Sequence, residues 1–356
     1  MKVAIDATPL TLSSGGLARY TRELTKALAD EFPEDDYILV SDQRFGMSTP
    51  RLPNLRQGNG PQTRFERRWW LYGVQREMSR TGAQLFHGTN FVVPWLPYRP
   101  SVATLHDLSL WLDPAWHGAG GFVRSRAPYQ MGLGLATMIV TPSQAVRRHA
   151  MEYFHIHPAR IVAIPLAAAP HFRPVPERAR PNPYFLFVGT LEPRKNLETL
   201  LLAWREVRRR YGVELVLAGR RRADFDQLLE PEPWLRVLGE VPEEDLPGLY
   251  SGAVAVLYPS LYEGFGLPVI EAMQCGAMVI ASRDPAVREV AGDAAILVDA
   301  RDTASWVEAM IAALTCPEST ATARARSLDQ ARSFSWGRTA RLTREVYREA
   351  QRRFGA

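Results

Sequence analysis

The sequence predicts an α/β protein built from two doubly wound domains, each with a parallel sheet covered by helices. Three observations carry this. Short runs rich in Val, Ile and Leu alternate with longer amphipathic stretches, the pattern of parallel strands joined by crossover helices. The alternation stops at a proline-rich stretch and then starts again. The 356 residues, 46% hydrophobic and 23% charged, are enough for two large cores without covalent staples, and two cysteines, Cys275 and Cys316, exclude a disulfide framework.

Each element follows from local pattern. In the first domain, residues 1–170, the apolar runs 3–6, 37–41, 84–87, 102–106, 137–141 and 160–165 read as strands. After the first of them Leu17, Tyr20, Leu24 and Leu28 recur at helical spacing. Residues 171–183, with Pro174, Pro176, Pro181 and Pro183, read as a semi-rigid linker. The second domain, 184–336, repeats the alternation, with strands expected at 184–188, 214–218, 234–238, 254–258, 278–281 and 296–298. Leu342, Val346 and Tyr347 mark a terminal helix, within 337–356, able to pack back on the first domain. Two such Rossmann-like domains on one linker are expected to face a cleft, with ligands beyond the carboxyl ends of the strands.

The formal charge of +5 suits acidic partners: phosphate-bearing substrates, nucleic acid or an anionic membrane surface. Of 43 basic residues only Lys2, Lys26 and Lys195 are lysines, which singles each one out. Asp6 falls where a signal peptide needs its apolar core, and no run approaches the roughly 18 apolar residues of a membrane span, so a cytoplasmic protein is expected.

Chemistry concentrates at strand ends. In 259–273 a buried strand ends at Tyr258, Gly264 and Gly266 free the backbone, and Pro268 suits the first turn of a helix. The amides from Gly264 through Phe265 and Gly266 to Leu267 are then expected to form an anion site, with Glu263 before the helix and Glu271 one turn inside it. Taken singly, Glu263 is as readily a helix cap and Glu271 a solvated helix residue. Arg194 and Lys195 follow the first strand of the second domain, and a cation 4 Å from a phosphate contributes about 4 kcal/mol at intermediate dielectric. The alternative is a solvated helix start. Gly15-Gly16 lies between the first strand and its helix, as a substrate approach or an ordinary tight turn, and His106-Asp107 ends a buried strand.

Weaker signals are set aside. Asp224-Phe-Asp226 has the form of a metal-binding acid pair but sits in a charged stretch, and no Gly-x-Gly-x-x-Gly follows a strand, against a dinucleotide oxidoreductase. The basic, aromatic run 64–80, with Trp69, Trp70 and Tyr72, reads either as a core helix or as an interfacial helix touching anionic lipid.

The stretch from Glu263 to Glu271 resembles the E-x7-E signature of retaining GT-B glycosyltransferases, group 1 (family 4). Val188-Gly189-Thr-Leu-Glu-Pro-Arg194-Lys195-Asn196 is similar to the diphosphate-binding segment of that family, Ser14-Gly15-Gly16 to its glycine loop and Thr104-Leu-His106-Asp107 to its His-Asp step. The segments resemble most closely those of bacterial O-antigen and exopolysaccharide mannosyltransferases. The sequence departs from the pattern at Met278, where proline is usual, and at Leu166-Ala167-Ala168.

The resemblance implies a metal-independent, retaining hexosyl transfer from a nucleoside diphosphate sugar to a glycan or lipid-linked acceptor, GDP-mannose being the first candidate donor. It implies Glu271 on the ribose, Glu263 on a sugar hydroxyl, Arg194 and Lys195 with Gly189 at the diphosphate, the amides around Phe265 to Leu267 on sugar and phosphate, and Gly15, Gly16 and His106 near the anomeric carbon. No cofactor and no nucleic-acid partner are expected, and the inner face of the membrane is the place for any peripheral contact. Two other readings stay open: a nucleotide-sugar or glycan binding protein without turnover, and a retaining glycoside hydrolase using Glu263 and Glu271.

Overall fold

The computed structural model describes residues 1–12, 15–46, 52–116, 121–176, 182–222 and 232–354. Ser14, residues 177–181 of the expected linker and Asp224-Phe-Asp226 lie outside them. The chain divides into two compact units: Met1–Leu112 with Gly118–Leu166 and Ser335–Ala356, and Ala167–Phe334 with the short segment Asp113–His117.

In the first unit the strands are β1 (Lys2–Asp6), β2 (Asp36–Val40), β3 (Leu55–Gln57), β4 (Leu85–Gly88), β5 (Ser101–Thr104), β6 (Met138–Thr141) and β7 (Ile161–Ala163). They form one parallel sheet in the order β3-β2-β1-β4-β5-β6-β7. Its helices are α1 (Gly16–Glu31), α2 (Val74–Thr81), α3 (Ser109–Leu112), α4 (Gly121–Gly132) and α5 (Gln144–Phe154). Tyr20, Leu24 and Leu28 form the buried stripe of α1, as their spacing requires. The expected strands are all found, within two residues at each end. The addition is β3, a three-residue edge strand with one buried side chain, Leu55.

The second unit holds β8 (Tyr184–Val188), β9 (Glu214–Ala218), β10 (Leu235–Gly239), β11 (Ala255–Tyr258), β12 (Val279–Ser282) and β13 (Ile296–Val298), parallel in the order β10-β9-β8-β11-β12-β13. Around the sheet lie α6 (Leu197–Tyr211), α7 (Leu246–Gly252), α8 (Leu267–Gln274), α9 (Pro285–Ala291), α10 (Thr303–Thr315) and α11 (Pro317–Ala331). Phe185, Phe187, Leu215, Leu217 and Leu257 pack beneath the buried indoles of Trp204 and Trp306, and Met278 completes the same core. Residues 171–176, expected as linker, dock on this unit. Phe172 is fully buried and its carbonyl accepts from Gln274 Nε2 at 2.7 Å.

The last helix, α12 (Trp336–Phe354), belongs to the first unit. Its buried face includes Trp336, Ala340, Val346 and Tyr347, and Arg344 reaches Asp35 at 2.7 Å.

Strand order reverses between β1 and β4 in one sheet and between β8 and β11 in the other. The loops after neighbouring strands diverge at such a point, and ligands of open α/β sheets bind there.

Candidate functional site

At the second reversal point the loops after β8 and β11 are sewn together. The backbone N–H of Leu261 donates to the Arg194 carbonyl at 2.9 Å. Asn196, in the left-handed conformation at φ 53°, sends Nδ2 to the carbonyls of Pro259 at 3.2 Å and Ala300 at 2.5 Å. Arg194 and Lys195 lie in a 3-10 turn (Pro193–Lys195) ahead of α6, and neither is a solvated helix residue. Lys195 is 6% exposed, and its Nζ donates to Glu263 Oε1 at 2.5 Å and to the Tyr258 hydroxyl at 3.1 Å. Arg194 bridges Glu192 at 2.8 Å, Glu263 Oε2 at 3.1 Å and the Tyr262 carbonyl at 2.7 Å.

Burial alone would raise the Glu263 carboxyl, but Lys195 and Arg194 outweigh it and hold the group at about 2. The same burial lowers Lys195, with Glu263 opposing the shift. Glu263 is therefore a fixed anion, two cations bound to it, rather than a solvent-facing cap.

The turn into α8 is backbone-built. Gly266 takes φ +96° at the N-cap, no side chain caps the helix, and Pro268 stands in its first turn, so the amide end opens at the Gly264–Leu267 turn. Glu263 N–H donates to Asp284 Oδ2 at 3.3 Å, while Asp284 Oδ1 caps α9 at Ala286 and Val287. Burial raises the Asp284 carboxyl to about 6.

Glu271 is not the solvated helix residue of the alternative reading. It is 1% exposed and its Oε2 accepts from the Tyr250 hydroxyl of α7 at 3.0 Å. Gly189 (φ +154°) is fixed by its neighbour: a methyl on Gly219 would stand 1.9 Å from the Gly189 carbonyl oxygen, and one on Gly189 itself would stand 3.8 Å from Lys195 Cε. Direct contacts thus join Arg194, Lys195 and Glu263, and Gly189 and the Gly264–Leu267 turn border them. Glu192, Asn196, Tyr250, Tyr258 and Asp284 were not singled out from sequence. A signal existed only for Asn196 and Asp284, each just ahead of a helical run.

The first reversal point is organised differently. Asp6, at the end of β1, is 2% exposed and accepts from Thr8 N–H at 3.0 Å and its hydroxyl at 2.7 Å; burial raises its carboxyl to about 6. The Thr89 hydroxyl, just beyond β4, donates to the Asp6 carbonyl at 2.7 Å. Gly15 is the N-cap of α1 with φ +111°, and a methyl there would meet nothing within 4 Å. His106, two residues past β5, donates Nε2–H to the Thr89 carbonyl at 2.7 Å and packs edge-on against Tyr20. Burial lowers its pKa, with the Thr89 carbonyl and Asp107 opposing. Asp107 Oδ1 accepts from the Ser109 N–H at 2.9 Å and its hydroxyl at 2.6 Å.

Below His106 runs a buried chain of hydrogen bonds: Tyr20 to Thr104 at 2.8 Å, Thr104 to His87 Nε2 at 2.8 Å, and His87 Nδ1 to Tyr347 of α12 at 2.7 Å. A cavity of about 610 Å³ opens at the ends of β1, β2 and β4, lined by Asp6, Thr8, Asp42, Asn90, Arg67 and Trp70 among others.

Among the described residues no cluster of His, Cys, Asp and Glu has the make-up of a metal site, and no helix is long and apolar enough to cross a membrane.

Comparison with known proteins follows this division. The family described as "Glycosyl transferases group 1" matches residues 170–329, and "Glycosyltransferase Family 4" matches residues 14–170. The O-antigen chain mannosyltransferase B of Escherichia coli is 32% identical over 98% of this chain and 100% of its own. Among solved structures, sucrose-phosphate synthase from Thermosynechococcus elongatus superposes with a TM-score of 0.77 at 20% identity, covering 98% of each chain. Anabaena HepE in complex with UDP-glucose superposes with a TM-score of 0.74 at 17% identity, over 98% of this chain and 100% of that one.

Proposed function

The chain belongs to the group 1, family 4 glycosyltransferases of GT-B fold, and from that premise we propose that it moves mannose from GDP-mannose to a hydroxyl of a glycan or lipid-linked saccharide, with retention of configuration and without a metal ion. The observation that carries the reading is the strand-end cluster of Arg194, Lys195 and Glu263 beside the uncapped amide end of α8. A departing nucleoside diphosphate gathers negative charge, and two fixed cations with helix amides stabilise it more in the transition state than in the bound donor. They supply the positive charge that a metal ion would otherwise bring.

In this reading the bond from the anomeric carbon to the diphosphate breaks as the bond to the acceptor oxygen forms on the same face. The acceptor proton passes to a diphosphate oxygen. Glu263, held ionised, accepts from a hydroxyl of the transferred sugar, and Glu271 with Tyr250 takes the ribose. The first unit binds the acceptor, with Asp6, Thr8 and Asn90 offering hydroxyl partners and His106 and Gly15-Gly16 belonging to the same unit. GDP-mannose rests on the mannosyltransferase relative, while the UDP-glucose bound to HepE supports the nucleotide-sugar class alone.

A hydrolase with Glu263 as its acid catalyst is disfavoured, because that role needs a raised carboxyl and Glu263 is held at about 2. Thermal unfolding with GDP, UDP, dTDP and ADP tests the proposal. One diphosphate at 100 times its Kd adds about 2.7 kcal/mol to the wild type and little to Glu271→Gln, and retention is read from the anomer of the product. If no diphosphate shifts the transition, the donor site is not where we place it.

A further inference from the structure

The side-chain cluster proposed as the donor site has no net charge of its own. Arg194 and Lys195 are matched by Glu192 and Glu263: Arg194 lies 2.8 Å from Glu192 and 3.1 Å from Glu263, and Lys195 lies 2.5 Å from Glu263. These four side chains are at most 11% exposed, so solvent ions screen them little. A nucleoside diphosphate sugar brings two negative charges to such a place. The turn from Gly264 to Leu267 offers it backbone amides and no cationic side chain.

A third carboxyl adjoins the cluster and has no part in the transfer. Asp284, just past β12, is 8% exposed and held by backbone donors: Oδ2 accepts from Glu263 N–H at 3.3 Å, and Oδ1 from Ala286 N–H at 2.9 Å and Val287 N–H at 3.1 Å. Among the described residues no cation pairs with it. Of the charged groups around it, Glu263 acts on it directly, while Arg194 and Lys195 are bound to Glu263. Arg283, Arg288, Glu289, Asp293 and Asp299 on its own turn, on α9 and at the end of β13 are exposed, and Glu271 of α8 accepts from Tyr250. Burial, with Glu263 adding to it, raises the Asp284 carboxyl to about 6.

We propose that Asp284 is a positioning residue that takes a proton from solvent onto Oδ2 when the donor binds and gives it back when the nucleoside diphosphate leaves. The proposal rests on the donor-site reading. Diphosphate charge arriving beside the Glu263 loop disfavours a further unpaired anion there, as like charges in a buried site do. Oδ2 is the atom with room for the proton, because Oδ1 already accepts two N–H donors and Oδ2 accepts one. Once protonated, Oδ2 keeps a lone pair for Glu263 N–H. Glu263 therefore holds its place while one negative charge is removed from beside it. Lys195 is the competing proton site, since burial lowers its ammonium while Glu263 opposes the shift.

Isothermal titration calorimetry of the whole protein with GDP-mannose, UDP-glucose, dTDP-glucose and ADP-glucose counts the proton, because the diphosphate of these sugars does not itself titrate near neutral pH. At pH 7, in PIPES and in imidazole, whose heats of ionisation differ, the wild type should take up at least about half a proton per donor bound. Uptake on binding means that affinity rises as pH falls, so donor affinity should drop about tenfold or more from pH 6 to pH 8. Asp284→Asn keeps an oxygen for the cap of α9 and Asp284→Ser keeps a capping hydroxyl. Both should bind donor without uptake and with little change across that range. A residue that only braced the loop would weaken binding equally at every pH when replaced.

Wild type that binds a nucleotide sugar with no proton uptake and a flat affinity overturns the inference and leaves the donor-site reading standing; this measurement needs no variant. Uptake that persists in both variants places the proton elsewhere, on Lys195 first, and overturns it as well. If no nucleotide sugar binds the wild type, the donor-site reading falls and this inference falls with it.

Discussion

The two reversal points of the molecule share a topology and differ in how they hold charge. After β8 and β11 the buried carboxylate, Glu263, is bound to two cations and kept ionised. After β1 and β4 the buried carboxyl, Asp6, accepts from the neutral N–H and hydroxyl of Thr8, and the imidazoles nearby, His87 and His106, are shifted toward their neutral forms. Parallel sheets supply the place for a ligand, while the loop residues decide what the place can stabilise. On the proposed function, the second unit suits a multiply charged leaving group and the first suits hydroxyls and proton-bearing groups.

Removing Lys195 breaks this contrast most severely. Lys195→Ala leaves Glu263 buried with Arg194 as its remaining cation, and is expected to cost about 3 kcal/mol in denaturant unfolding. In the folded enzyme it should lower kcat about a hundredfold, more than it raises the donor KM. An unchanged kcat would remove the leaving-group role.

Titration sharpens the comparison, because the two carboxyls pull stability in opposite directions. Glu263, lowered from 4.5 to about 2, contributes stability above pH 4.5 that is lost as pH falls toward 2. Asp6, raised from 3.8 to about 6, penalises the folded state above pH 6, and the penalty lifts as pH falls through 6 toward 3.8. Asp6→Asn, which keeps an oxygen for Thr8, should stabilise the protein at pH 7.5 by up to about 3 kcal/mol and by little at pH 3.8. Asp284 of the second unit, also raised to about 6, has the same sign as Asp6, so Asp284→Asn measures that unit's own share. A stability difference for Asp6→Asn that is flat between pH 4 and 7.5 would refute the assignment.

The smallest effect concerns the neutral network. Tyr347→Phe strands His87 Nδ1 in a fully buried site and should cost about 1 to 2 kcal/mol, leaving the diphosphate-induced shift of the second unit unchanged.

Much of the architecture was legible because burial on both faces makes parallel strands continuous apolar runs. β3 was not, since Leu-Arg-Gln at a sheet edge offers one apolar side chain. At the site, Glu263, Gly266 and Pro268 announced themselves through local turn chemistry. Arg194 and Lys195 were also legible, as cations after a strand, but their pairing with Glu263 was not, because Lys195 lies 68 residues away in sequence and only the sheet order brings it within 2.5 Å. The burial of Glu271, which sets aside its reading as a solvated helix residue, was not legible for the same reason: its partner Tyr250 comes from α7. The run 64–80 read equally as core or surface from composition, and it is both, with Trp69 turned in and Phe65 out.

The last helix gives the chain a consequence in time. The ribosome makes residues 1–166 first, yet the face of α1 that α12 covers, and the Tyr347 hydroxyl that His87 needs, arrive only after the whole second unit has been synthesised. The second unit, apart from Asp113–His117, is one uninterrupted stretch that can close on its own core as it emerges. The part of the protein made first is therefore the part finished last, and a chain cut short just after residue 334 has a complete second unit while the α1 of its first unit still exposes that surface to chaperones and proteases.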